Sequence, residues 1–144
     1  MPLYSNAEKV IREHLELVRA GQKPRRVTIG ELSKGQLESL NAQREKAGLS
    51  PLNGRIFFVG KHVYKRRILG DGYTVDDVID QIRSAFSEAS TAHLNPKLSS
   101  LKNPIARADR YGNQVRDEIV LECSAKHPNA ELFSVIPKGD VKKP

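Results

Sequence analysis

The stretch Gly54–Tyr73 combines a short apolar run with a dense group of cations. After Ile56–Val59 and a break at Gly60, one histidine, one tyrosine and four basic residues follow within seven positions: Lys61, His62, Tyr64, Lys65, Arg66 and Arg67. Histidine exchanges protons near neutral pH. Arginine binds phosphate through a planar fork of hydrogen-bond donors. These residue types suit acid–base chemistry on a phosphate ester.

Cleavage of RNA by its own 2′-hydroxyl group needs little more than this set. A base must take the 2′-OH proton, an acid must protonate the leaving 5′-oxygen, and cations must stabilise the phosphate. His62 suits the acid or the base role, and Glu122 or Glu118 could serve as the base. This chemistry requires no metal and no cofactor, so we expect neither.

Several familiar motifs are absent from the sequence. It contains no C-x-x-C pair and no H-E-x-x-H motif, which are typical of zinc sites. It also lacks G-x-x-x-x-G-K-[ST], G-x-G-x-x-G and the G-x-S-x-G elbow. These absences argue against P-loop, dinucleotide-binding and serine-hydrolase functions.

The overall composition favours a small basic protein. The chain has 144 residues, a net charge of +7 and a pI of about 9.7, which points to a polyanion or an acidic protein as partner. Its one cysteine, Cys123, gives no internal disulfide. Without an evident signal peptide or a long apolar run, we expect a cytoplasmic protein and no membrane partner.

Helical periodicity appears in three segments. Apolar spacing predicts a helix over residues 5–20, a second between Ser33 and Gly48, and a third from Thr74 to residue 89. Ser33 and Gln36 have the spacing of a capping box, and Thr74 can cap the third helix. Residues 61–68 could continue the preceding strand or start a helical turn.

The predicted strands lie mainly in the last third of the chain. A short strand is expected at Val27–Ile29, and residues 90–104 are predicted to be a loop because they are rich in Ser, Asn, Pro and Lys. Tyr111–Asn113 predicts a hairpin between runs at 105–110 and 114–124. Glu131–Ile136 is the predicted final strand, ending at Pro137. The result is an α+β chain ending in an antiparallel meander.

Alternation in the strand after Tyr111–Asn113 separates two faces. The apolar face is expected to hold Val115, Ile119, Leu121 and Cys123. The other face carries polar residues around Val120: Arg116, Glu118, Glu122 and Ser124. We expect this polar face to form the second wall of a cleft that begins at Lys61–Arg67. The whole chain is interpreted as one domain, with an N-terminal helical part (1–50), a candidate catalytic core (51–137) and a basic tail (138–144).

The order of these features resembles a known superfamily. Helices, a strand leading into K-H-x-Y-x-R-R, a helix and a polar antiparallel meander are similar to the barnase/EndoU/colicin/RelE-like superfamily, particularly its phage and mobile-element barnase-like domains. The resemblance implies a metal-independent endoribonuclease, often a toxin. It implies N-terminal helices packed on an antiparallel sheet of about four strands. RNA, and an acidic immunity or antitoxin protein, would be the partners.

The resemblance also implies roles for individual residues. It implies His62 as the acid or base, Arg66 and Arg67 as phosphate ligands, and Arg116 and Ser134 as polar residues projecting from the sheet. Together with the possible base Glu122, the expected catalytic set is His62, Arg66, Arg116, Glu122 and Ser134. The expected nucleic-acid contacts are Lys61, Tyr64, Lys65, Arg67, Tyr111, Lys126 and His127. A second catalytic histidine is not evident, because His127 lies in a predicted turn.

Plainer interpretations remain for the same residues. The basic residues could be a solvated surface and the tyrosines core edges, and Arg116 and Glu122 could form cross-strand ion pairs with neighbours. Two other functions remain open: a non-catalytic nucleic-acid-binding protein of a plasmid or phage, and an interaction module that binds an acidic protein through residues 61–67. The distinguishing feature is whether His62 faces a cleft shared with Arg116 or Ser134, or lies on a flat convex surface.

Overall fold

The computed structural model describes residues 3–95, 98–123 and 130–139. Within these ranges the α-helices are α1 (Ala7–Arg19), α2 (Lys34–Lys46), α3 (Lys61–Val63) and α4 (Val75–Ala85), with a π-helix at Tyr64–Gly70. The strands are β1 (Val27–Glu31), β2 (Arg55–Phe58), β3 (Thr91–Leu94), β4 (Ser99–Lys102), β5 (Arg107–Ala108), β6 (Gln114–Cys123) and β7 (Ala130–Gly139). The chain is therefore α+β.

The sheet is larger than the sequence predicted, and it is mixed. Its seven described strands run in the order β1-β2-β7-β6-β4-β3, and β5 pairs separately with β6. All pairings are antiparallel except that of β2 with β7. The expectation of about four antiparallel strands, which the resemblance implied, was wrong. Strands β3 and β4 come from residues predicted to be a loop, whereas a strand at the position of β1 was expected.

The core lies on one face of this sheet. Helix α4 packs on the central strands β6 and β7, while α1 packs on β1 and on α4. Buried core residues of the strands include Ile56, Phe58, Ile119, Leu121 and Leu132. The alternation predicted for β6 is confirmed for Val115, Ile119 and Leu121, which are buried. It is wrong for Glu118, which was expected on the polar face and is buried, and Cys123 is only half-buried. Both predicted helix caps are also confirmed. The Ser33 and Thr74 side chains accept hydrogen bonds from the backbone N–H groups of Gln36 and Asp77 in complete capping boxes.

Two segments of the predicted loop at 90–104, Thr91–Leu94 and Ser99–Lys102, are instead paired strands. Strands β3 and β4 pair antiparallel, and β4 also pairs with β6. The edge of β3 is occupied by one side chain of α2. Gln43 donates through Nε2 to the Ala92 carbonyl (3.0 Å) and accepts through Oε1 from the Leu94 N–H (2.8 Å). These polar residues form strands because they gain backbone hydrogen-bond partners from distant elements. Their composition, from which a loop was predicted, does not show such partners.

The final strand is longer than predicted. β7 continues through Pro137 to Gly139, paired with β6 throughout. Along its other edge, β7 pairs with β2 only at Ala130–Leu132. Pro137 lies beyond that pairing, at a position where the missing N–H group of a proline is tolerated. The parallel pairing also places the end of β2, and hence the start of α3, beside the middle of β7.

The residues after β2 are helical, which settles the choice left open by the sequence. Gly70–Gly72 then forms the closing turn, where Gly72 has φ +76° and a Cβ would lie 2.9 Å from the Tyr111 hydroxyl. Arg67 and Asp71 form an ion pair of 2.8 Å across the end of the π-helix. Within the described ranges, every helix is too short or too polar to cross a membrane.

Candidate functional site

His62 is held on α3 by an aromatic contact with β7. Its ring stacks on Phe133 with centroids 4.4 Å apart and planes inclined by 19°. Phe133 is available because β7 carries a bulge. Leu121 pairs with Leu132 and Val120 with Ser134, so Phe133 is the extra residue between them. A bulge interrupts the alternation of a strand and redirects a side chain, and here it directs Phe133 to His62.

His62 lines a cavity of about 400 Å³ where three segments meet. The end of β2 and the start of α3 contribute one side, and the facing ends of β6 and β7 contribute the other. The lining residues are Val59, Lys61, His62, Lys65, Glu122, Glu131, Leu132 and Phe133. The volume is within the range of small-ligand sites. His62 therefore faces a concave surface, and the structure brings it together with three other predicted residues: Lys61, Lys65 and Glu122.

The electrostatic environment favours a neutral His62. Burial lowers the pKa of His62 below its ordinary value of 6.5, and the positive charges of Arg66, Arg67 and Lys65 lower it further. At neutral pH the imidazole is therefore mainly unprotonated and can accept a proton. Among the two roles predicted for His62, this environment favours that of a base.

Two carboxylates face each other across the β6–β7 pair at the same cavity. Glu122 and Glu131 are register partners, and like charges in directly opposed positions repel. Arg26 compensates for one of them, since its Nη1 lies 2.7 Å from Glu131 Oε2 while its guanidinium covers the Phe57 ring at 4.5 Å. Among the described residues Glu122 forms no ion pair, so its exposed carboxylate faces the cavity beside Lys61 and Lys65.

Arg116 and Ser134 do not line this cavity. Arg116 lies six residues before Glu122 on β6, about 20 Å away at the rise of a strand. It lines another cavity, of about 390 Å³, with Lys102, Glu118 and Lys138. Ser134 is 5% exposed and pairs with Val120 in the middle of the sheet. The structure therefore separates Arg116 from His62, whereas Ser134 follows Phe133 in the chain but is buried and does not line the cavity.

The segment Lys61–Arg67 also contains Arg66, Arg67 and Tyr64, whose environments differ. Arg66 is exposed and acts on His62 through its charge. Arg67 has a side chain only 16% exposed and is paired with Asp71. Tyr64 packs against the core. Thus Arg66 remains available to a ligand, whereas Arg67 and Tyr64 stabilise the fold.

Tyr111 joins the β5–β6 hairpin to the turn after the π-helix. Its hydroxyl donates to the Asp71 carbonyl at 2.7 Å, and its ring lies 5.6 Å from that of Tyr73. Tyr73 in turn donates to Asp109 Oδ2 at 2.9 Å. This network gives Tyr111 a structural role that the sequence did not suggest. The two remaining predicted contacts, Lys126 and His127, lie outside the described residues.

The Tyr73–Asp109 contact predicts an unusual titration. Burial, followed by the hydrogen bond to Asp109, raises the pKa of Tyr73 to about 12 from the ordinary value of 10.0. The neutral phenol therefore stabilises the fold fully below pH 10, and this contribution is lost as the pH rises through about 12. Absorbance of tyrosinate should show one late component that Tyr73→Phe removes and Asp109→Asn shifts to lower pH. Ionisation of Tyr73 near pH 10 in the folded protein would contradict this prediction.

Three residues that matter for this site were not identified from the sequence. Phe133 depends on the bulge, Glu131 on its register with Glu122, and His14, which is buried and contacts Gly60, on the packing of α1. Only His14 had a local signal, since it borders the apolar stripe of α1. In the described ranges, no three His, Cys, Asp or Glu residues are grouped so that they could hold a metal ion.

The fold and the site together define an α+β protein with a mixed sheet and a histidine-containing cavity, lined by two lysines and two glutamates, at the end of β2. No protein-family model, curated protein or solved structure gave a significant match to the chain. The functional conclusion therefore rests on the chemistry of the site.

Proposed function

We propose that this protein is a metal-independent endoribonuclease that cleaves RNA by attack of the 2′-hydroxyl group. The observation that carries the proposal is the single cavity lined by His62, Glu122, Lys61 and Lys65. It combines a neutral imidazole, two ammonium groups and two carboxylates, of which that of Glu131 is paired with Arg26. These are the groups that proton transfer next to a phosphodiester requires.

In the proposed reaction His62 acts as the base. Its neutral imidazole takes the 2′-OH proton as the 2′-oxygen forms a bond to phosphorus. The bond from phosphorus to the 5′-oxygen breaks, and the imidazolium returns the proton to that oxygen. The products are a 2′,3′-cyclic phosphate and a 5′-hydroxyl. Lys61 and Lys65 stabilise the phosphate oxygens, while the Glu122 carboxylate stabilises the imidazolium.

A second group of cations supports a polynucleotide substrate rather than a mononucleotide. Lys102, Arg116 and Lys138 line the other cavity, which lies along the same strand as Glu122 but about 20 Å from it. Arg116 would therefore contact a different phosphate from the one that is cleaved. With the net charge of +7, this arrangement favours an extended anionic chain.

We further propose that the chain is related to the barnase-like superfamily and that it acts as a toxin or mobile-element effector. The α+β architecture is compatible with that resemblance, although its sheet is larger and contains a parallel pair. A role as a toxin or mobile-element effector would require an acidic immunity or antitoxin protein in the producing cell. Such a partner would be attracted by the same cations that contact RNA.

The test is incubation of the protein with total RNA, with and without EDTA, followed by mapping of the cut ends. We expect cleavage that is unchanged in EDTA and products with 2′,3′-cyclic phosphate ends. An oligonucleotide with a single 2′-deoxy substitution at a mapped cut should resist cleavage there. Cleavage of that oligonucleotide, or loss of activity in EDTA, would contradict the proposed chemistry.

Non-catalytic nucleic-acid binding is the second candidate, because the two groups of cations would serve it equally. In that case the same incubation yields no cleavage at any protein concentration. Binding of RNA, measured by fluorescence anisotropy, would still weaken steeply as the salt concentration rises.

A further inference from the structure

His14 is a buried histidine with a contact that reaches the candidate site. It lies on α1, is 3% exposed and packs edge-on against Phe58, with ring centroids 5.1 Å apart. Its Nε2 accepts a hydrogen bond from the Gly60 N–H at 2.9 Å. Because Nε2 is the acceptor, the proton of the neutral ring is on Nδ1. Burial lowers the pKa of His14, against a smaller opposing effect of the Arg25 backbone, and so favours this neutral form.

Gly60 fits closely between α1 and β2. A Cβ at this position would lie 2.9 Å from His14 Cδ2, 2.9 Å from Leu15 Cδ2 and 3.0 Å from Phe58 Cε2. Real side chains do not approach so closely, so a larger residue would push α1 and the chain at Gly60 apart. The absence of a side chain therefore permits the hydrogen bond to His14.

Gly60 also begins the helix that carries His62. Its carbonyl accepts a hydrogen bond from the Tyr64 N–H at 2.8 Å, and His62 follows two residues after it. One peptide segment is thus fixed on both sides: by α1 through the Gly60 N–H, and by α3 through the Gly60 carbonyl. The direction in which α3 leaves the sheet depends on both bonds.

We infer that His14 is a positioning residue for His62. By accepting the Gly60 N–H, the neutral imidazole of His14 sets the start of α3 and places the His62 ring on Phe133 at the cavity. The catalytic part of this inference rests on the proposed function. The positioning part does not, because it concerns only the orientation of His62.

The unmodified protein offers the first test. An N–H···N hydrogen bond transmits a scalar coupling between its two nitrogens, so a ¹⁵N-labelled sample should show a coupling between the Gly60 amide and His14 Nε2. The imidazole shifts should identify Nδ1 as the protonated nitrogen of His14. A His14 ring protonated on Nε2 at neutral pH would overturn the inference without any need for a variant.

Substitutions then test the consequence for His62. His14→Leu removes the acceptor, whereas His14→Gln can present an amide oxygen close to the Nε2 position. In the leucine variant we expect the His62 pKa, followed by NMR, to move up towards its ordinary value as contact with Phe133 loosens. We expect kcat for RNA cleavage to fall by about 10- to 100-fold with little change in KM. The glutamine variant should recover most of both quantities.

A steric variant gives an independent test if the leucine variant does not fold. Gly60→Ala should shift the His62 resonances, because the added Cβ displaces α3 from α1. Gly35→Ala is the matched control, since a Cβ there meets nothing within 4 Å. A folded His14→Leu or Gly60→Ala protein with unchanged His62 shifts and pKa would make His14 an ordinary core residue. If the unmodified protein cleaves no RNA, the NMR results still decide the positioning role.

Discussion

Replacement of His62 by glutamine is expected to lower the rate of RNA cleavage by a factor of about 10² to 10⁴, the usual contribution of a positioned acid–base group. Glutamine keeps a polar side chain next to Phe133 but cannot take the 2′-OH proton. Affinity for a 2′-deoxy analogue should change little, because Lys61 and Lys65 are retained. The measurements are single-turnover cleavage of a defined oligoribonucleotide and fluorescence anisotropy with its 2′-deoxy analogue.

The matched control is His93→Gln, on an exposed histidine of β3 that hydrogen-bonds locally to Thr91 at 2.8 Å. This variant should retain unmodified activity and stability. Full activity in His62→Gln, with the fold verified by circular dichroism, would remove His62 from the mechanism.

If His62 is the base, the rate of cleavage should fall at low pH. A base works in its neutral form, so kcat/KM should fall as the pH drops through the His62 pKa, which lies below 6.5. Because Arg66 and Lys65 both contribute to that lowering, replacing both with glutamine should move this limb to higher pH. If the low-pH fall of kcat/KM occurs at the same pH in this variant, a group other than His62 causes it.

Loss of the Arg107 side chain is expected to cost about 3 to 5 kcal/mol of unfolding free energy, the largest stability effect that we predict. Arg107 binds Asp117 through two bonds, Nε to Oδ2 at 2.5 Å and Nη2 to Oδ1 at 3.0 Å. The Asp117 side chain is fully buried. Arg107→Met would leave this carboxylate in the interior without its partner. Urea unfolding gives the free energy, and the melting temperature should fall by roughly 10 °C.

A double substitution distinguishes the cost of an unpaired charge from the value of the pair. Replacing both residues, as in Arg107→Met with Asp117→Leu, should recover much of the lost stability, because no buried charge then remains. Arg19→Met is the surface control, since the Arg19–Glu16 pair is exposed on both sides and separated by 3.7 Å. It should change stability by less than about 1 kcal/mol. Equal losses in Arg107→Met and Arg19→Met would contradict the importance of burial.

The Asp117–Arg107 pair shows a limit of what the sequence predicts. Asp117 was not assigned to either face of β6 from the sequence, but the structure buries it, and a buried carboxylate needs a partner. The partner, Arg107, comes from the short strand β5 and is fixed only when β5 pairs with β6. Both the burial of this charge and the residue that neutralises it therefore became evident only from the hairpin register.

The largest error, at residues 90–104, has a related cause. Strands β3 and β4 contain polar residues with weak strand propensity. They are strands because β6 pairs with β4 and because Gln43 of α2 occupies the edge of β3. Partners that lie far along the chain leave no periodic signal in the segment itself.

The sequence by itself determined the features that depend on neighbouring residues: the capped helices, the alternation of β6, and the placement of His62 among cations after a short strand. These follow from hydrogen bonds and periodicities within a few positions. Only the tertiary structure decided that Glu122 joins His62 while Arg116 does not, that a bulge turns Phe133 onto the imidazole, and that α1 holds Gly60. Each depends on the register of β6, β7 and β2 or on helix packing, which the chain fixes when it buries one face of the whole sheet.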